Sequence, residues 1–181
     1  MSALRKLLFP VLLLMGIDTA LSTTLNVTAI NAHDGKSHFE CWSLSAPFFS
    51  SSQAGIVGTQ ATQLGDVTNM TYGVISPGYD AQFHTAPYPQ WVVVLNGLFT
   101  ITLPDNSSDS LTLTTGESGL LFAMDTPDIS KRGHGNYIYG PAESIFLQIP
   151  TPNGSIPEHE LIYSDKPCGA QEFSGLREQA T

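Results

Sequence analysis

The feature that most constrains this chain is a succession of short apolar runs, each closed by Gly, Pro, Asn or Asp before it is long enough to make a helix. Ser37–Leu44, Val67–Ile75, Trp91–Asn96, Leu98–Leu103, Ser110–Leu113, Gly119–Met124, Tyr137–Tyr139 and Ser144–Ile149 are rich in β-branched or aromatic residues. Such side chains fit a pleated, half-buried surface, and the breakers between them supply turns. Asn96-Gly97 between two runs is a tight-turn signal, and Pro104–Asp109 reads as a longer polar hairpin loop. Many short strands at regular spacing predict an all-β sandwich or barrel rather than alternating strands and helices.

Composition agrees. Hydrophobic residues make up 41% of the 181-residue chain, enough to bury a core, and only 13% of residues are charged. The formal net charge of −9 leaves too few cations to neutralise phosphates, which argues against a nucleic-acid partner.

Met1 to Ser22 reads as a secretory signal: Arg5 and Lys6, the apolar run Leu7–Gly16, then small residues in Ala20-Leu21-Ser22. The run is short of the roughly 20 apolar residues a spanning helix needs. A secreted or lumenal protein with no membrane association after cleavage is therefore expected. In that compartment Cys41 and Cys168 most simply form one disulfide. Four sequons, at Asn26, Asn69, Asn106 and Asn153, fit the same route, and each is expected at the surface. With no repeat or linker, the chain divides into a signal over 1–22, one β domain over 23–168 and a polar tail over 169–181.

The chemistry concentrates between Gly73 and Ile149. His84-Thr-Ala86-Pro-Tyr-Pro-Gln90-Trp-Val-Val-Val-Leu-Asn-Gly97 is followed by Gly116-Glu-Ser-Gly-Leu-Leu-Phe-Ala-Met-Asp125 and Gly133-His134-Gly135-Asn136. These stretches resemble the two motifs of the cupin superfamily over about half of the mature chain. His84 matches the first histidine, Gln90 stands at the glutamate position, Gly97 follows at the family spacing, and His134 matches the second-motif histidine across a stretched loop. Ala86 replaces the second histidine. The resemblance implies a single antiparallel β-barrel of double-stranded β-helix, or jelly-roll, type. The whole chain is also similar to small secreted cupin-like proteins of fungi, some of which are natural-product cyclases of hetero-Diels–Alderase type.

A period of two along Gln90-Trp-Val-Val-Val-Leu puts Gln90, Val92 and Val94 on one face and Trp91, Val93 and Leu95 on the other. Since cupins turn their first-motif ligands inward, Gln90 and Val92 are expected in the cavity. Phe122 or Met124, Asp125, Phe146 and Gln148 are further lining candidates. Cupin metals usually take three histidines and a carboxylate. Here only His84, Gln90 and His134 remain, with Asp125 a further donor for iron, manganese or zinc. The neutral set better suits hydrogen bonds to an organic ligand, and no cofactor is favoured.

Asp125 also has the alternative of capping the turn that follows it. His33, His38 and His159 read as surface residues, and Lys131-Arg132 as a solvated loop tip. Neither a GxSxG elbow nor a phosphate-binding glycine loop is present.

The expected function is a cofactor-free enzyme of small-molecule metabolism. His84, Gln90 and His134 would polarise a carbonyl or move a proton on one apolar organic molecule during cyclisation or isomerisation. A metal-dependent dioxygenase or isomerase and a non-catalytic secreted binding protein are the alternatives. Pairing into a homodimer through sheet edges is a further expectation.

Overall fold

The computed structural model describes residues 24–105 and 110–173. The expected signal, Asn106 and the part of the tail beyond Phe173 lie outside the described residues.

Thirteen strands run in chain order among the described residues: β1 Thr24–His33, β2 Lys36–Pro47, β3 Phe49–Ser50, β4 Gln60–Ala61, β5 Thr71–Ile75, β6 Asp80–His84, β7 Gln90–Asn96, β8 Leu98–Thr102, β9 Ser110–Leu113, β10 Leu120–Ala123, β11 His134–Tyr139, β12 Ser144–Pro150 and β13 His159–Tyr163. A single helical turn, α1, spans Ala170–Phe173.

The fold is all-β. A seven-stranded sheet has the order β13-β2-β1-β10-β7-β12-β5, and a four-stranded sheet the order β6-β11-β8-β9. The hydrogen-bonded strands form these separate sheets, not a closed cylinder. Nor is the pairing wholly antiparallel, because β1 runs parallel to β10 with Ala29 opposite Phe122.

β1 enters through a hairpin that the strand runs above did not include. His33 faces Lys36 across Asp34 and Gly35, both at positive φ, as a two-residue primed turn requires. Asn96-Gly97 makes the expected turn between two strands. Gly97 takes a positive φ of 92°, but the chain there leaves β7 in the large sheet and enters β8 in the small one. The hairpin expected beyond it is present, with β8 pairing β9 from Phe99–Leu113 to Thr102–Ser110.

Two clusters hold the layers together. Ile30, Phe39, Val94 and Leu121 of the large sheet pack against Phe99, Ile101, Leu113 and Ile138 of the small one. The reverse face of the large sheet is also buried: Val27, Trp42, Trp91 and Phe122 cluster there with Leu64, whose carbonyl accepts from Trp91 Nε1. Alternate side chains of β1, β7 and β10 are thus buried on opposite faces.

Cys41 and Cys168 form the expected disulfide. Of the sequons, Asn69 and Asn153 are exposed. Asn26 departs from the surface expectation: its Nδ2 donates to the Glu172 carbonyl at 2.7 Å, and Thr28 is buried. None of the helices among the described residues is long and apolar enough to cross a membrane.

Candidate functional site

Between the sheets lies a cavity of about 160 Å³. Its walls are mostly apolar, with Val92, Phe99, Ile101, Leu121 and Phe146 prominent. Two sets of polar side chains meet across it. Gln90 comes from β7 and Gln148 from β12, where Val92 pairs with Gln148 and Gln90 with Pro150. From the small sheet come His84 at the end of β6, and His134 and Asn136 on β11.

The histidines meet because β6 and β11 pair in register, His84 opposite His134, with ring centroids 4.9 Å apart. A bulge precedes this pair: Gln82 takes a φ of 54°, with its N–H on Asp80 Oδ1 at 2.9 Å. His84 Nδ1 lies 3.0 Å from the Gln82 carbonyl, and the residue is exposed at the cavity mouth. His134 is buried, and its Nδ1 lies 2.9 Å from Asp125 Oδ2.

Asp125 stands behind His134, fully buried. Ser37 Oγ donates to the same Oδ2 at 2.8 Å and lies 2.8 Å from Ser130 Oγ. Ser130 Oγ accepts the Gly133 N–H at 2.9 Å, while Asp125 Oδ1 is buried without a partner among the described residues. Asp125 therefore neither lines the cavity nor caps the turn after it. Its carboxylate is committed to the histidine and to β2, and Thr126 Oγ1 bonds Asp128 in that turn.

Of the residues singled out in the sequence, His84, Gln90, Val92, His134, Phe146 and Gln148 share the cavity. Phe122 and Met124 do not. Both pack in the cluster on the reverse face of the large sheet, and Leu121 and Ala123 take the cavity side of β10. Phe122 meets Trp91 edge to face at 4.8 Å and Trp42 at 5.6 Å. The sequence reading missed Ser37, Ser130 and Asn136. Only Asn136 had a local signal, since two residues beyond His134 on one strand is the same face.

Two of the surface assignments also change. His38 Nε2 lies 2.9 Å from Glu40 Oε1, and that hydrogen bond raises the His38 pKa above its ordinary value. His159 stacks on Trp42 with centroids 3.7 Å apart. His33 is exposed as expected.

The donors do not match the three-histidine, one-carboxylate set that the cupin resemblance implies. Ala86 lines the cavity without a donor, Gln90 brings a neutral amide, and Asp125 is turned to His134. Among the described residues no group of three His, Cys, Asp or Glu is placed to hold a metal ion.

Chemically, the cavity combines an apolar enclosure, the three amide side chains of Gln90, Gln148 and Asn136, and a histidine backed by a buried carboxylate. That arrangement can orient an organic molecule, hydrogen-bond an oxygen and exchange a proton. No protein-family model matches the chain, and no curated protein matches it.

Proposed function

We propose that the protein is a secreted enzyme of cupin type that binds a compact, mostly apolar organic molecule between its sheets and promotes a cofactor-free cyclisation or isomerisation. The carrying observation is the convergence of His84, Gln90 and His134 on one enclosed apolar cavity. Gln90 is only 4% exposed, and its side chain lines that cavity. An amide there can hydrogen-bond a ligand oxygen, a bond worth about 0.5–1.5 kcal/mol net.

The strand order supports the cupin reading. From β5 to β12 the chain crosses between β5-β12-β7-β10 in one sheet and β6-β11-β8-β9 in the other at every step except the β8–β9 hairpin, as a jelly roll does. The remaining strands extend the large sheet beyond β10. Secretion is supported by the disulfide, whose chemistry belongs to an oxidising compartment.

In this reading the apolar walls fold the substrate, the glutamine amides hold an oxygen as charge develops on it, and His134 moves a proton. The volume matches a single ring, since an apolar cavity of about 150 Å³ holds benzene. Larger substituents would project past exposed His84.

The test is to incubate the secreted protein with single-ring enones and quinone methides that close on themselves slowly. Ring closure above background with an enantiomeric excess, lost in His134→Ala and Gln90→Leu, is the expected result. Background rates and racemic product across such a panel would leave the chain a binding protein.

A further inference from the structure

We infer that the cavity is built for a ligand that donates a hydrogen bond: a single-ring molecule carrying a phenolic or enolic hydroxyl, received by His134 Nε2. The inference rests on the reading of the cavity as an organic-ligand site and names the chemistry it selects.

The argument is one of proton direction. The Gly133 N–H can only donate, and it donates to Ser130 Oγ at 2.9 Å. Ser37 gives its single hydroxyl proton to Asp125 Oδ2, so between the two serines the proton must come from Ser130. An ionised Asp125 accepts at both its contacts, so His134 Nδ1, 2.9 Å away, carries the ring proton. A neutral imidazole protonated at Nδ1 has a bare Nε2. Nε2 has no partner among the described residues, and the ring lines the cavity. Asp125 is thus a positioning residue that presents His134 to the ligand as an acceptor.

Asn136 adds a second acceptor. It lies two residues along β11 on the same face, and its Oδ1 is buried without a donor among the described residues. The two acceptors stand roughly 7 Å apart along one strand and cannot share one hydroxyl, so the phenolic proton goes to Nε2 and Asn136 Oδ1 is left for a second donor on the ring. When the hydroxyl gives its proton to Nε2, the oxygen keeps the bonding pair as a phenolate or enolate. The imidazolium that forms is balanced by Asp125.

Two measurements test this on the intact protein. Long-range proton–nitrogen NMR of the ligand-free protein at neutral pH should show His134 protonated at Nδ1 alone. A proton on Nε2 in that state overturns the inference. Calorimetric titration should then find phenol about tenfold or more tighter than toluene, a ring of the same size without the donor. That preference should collapse towards equality in Asp125→Asn. Should Asp125→Asn fail to fold, Ser37→Ala loosens the same carboxylate and should weaken the preference. Equal affinity for phenol and toluene would sink the inference but leave the organic-ligand site standing, whereas binding of neither would remove both.

Discussion

Gly133 sets the geometry of the two histidines. Its φ of 70° lies in the left-handed region, and a Cβ there would overlap the His84 carbonyl and lie 2.6 Å from the Thr85 nitrogen. The obstruction is backbone, so no side-chain rotation relieves it. Gly133→Ala must strain its own backbone and push β6 away from β11, opening the His84–His134 pair. The expected cost is about 3 kcal/mol in urea denaturation, with weaker phenol binding at temperatures where the variant is folded. At this scale the sequence was legible wherever a residue type and a spacing carried the chemistry, as with His84, Gln90 and His134. It was opaque for Ser37, which meets Asp125 across 88 positions of chain with no local mark. Phe122 was misplaced because Leu120 to Ala123 is apolar throughout, so no alternation distinguishes the faces of β10.

Among the strands, β2 carries a polar device. His38, Glu40 and Trp42 alternate along it and so share a face, with Glu40 7% exposed at the centre. Burial is the largest single effect on Glu40 and raises its pKa. Hydrogen bonds from His38, Trp42 Nε1 and Asn31 of β1 together outweigh it and hold the carboxyl below its usual range. The same Glu40–His38 bond raises His38, against the lowering effect of burial.

The two shifts have opposite pH signatures. The depressed Glu40 contributes stability that is complete above about 4.5 and lost as pH falls through its lower folded value. The raised His38 contributes stability that is complete below about 6.5 and lost as pH rises through its higher folded value. Both contributions are whole between those limits. Urea midpoints measured from pH 3 to 8 should therefore pass through a maximum there that Glu40→Gln lowers by about 1–2 kcal/mol and flattens on both sides. A maximum unchanged in Glu40→Gln would show that other groups set the profile. Strand legibility follows a similar logic of contrast. β7, β8, β9 and β12 announce themselves by β-branched and aromatic runs, whereas β6 and β13 are short, have no buried residue and contain charged residues. β1 was hidden because Val27 to Ile30 is buried on both faces, although Asp34-Gly35 was a hairpin signal ahead of a predicted strand.

For the whole molecule, the disulfide joins residues 127 apart and fastens the segment Cys168–Phe173 against β1 and β2. Polar contacts fasten the same segment: Cys168 N–H donates to Thr28 Oγ1, and Glu172 accepts from Gly169 N–H, Tyr163 Oη and Asn26 Nδ2. The covalent bond acts mainly on the unfolded chain. Closing so long a loop is worth up to about 5 kcal/mol in the chain-entropy account, with a working range of about 2–4. The polar clips are short-range and remain when the sulfurs are replaced. None of residues 168–173 lines the cavity. Cys41→Ala/Cys168→Ala should therefore unfold at lower urea by about 3–4 kcal/mol, yet bind phenol with unchanged affinity well below its melting temperature. Loss of binding along with stability would mean instead that the fastened segment holds the two sheets at the spacing the cavity needs. The segment lines one side of a cleft whose other side is Leu111 and Gly116, and β9 carries Leu113 into the cavity wall, which is the route such coupling would take.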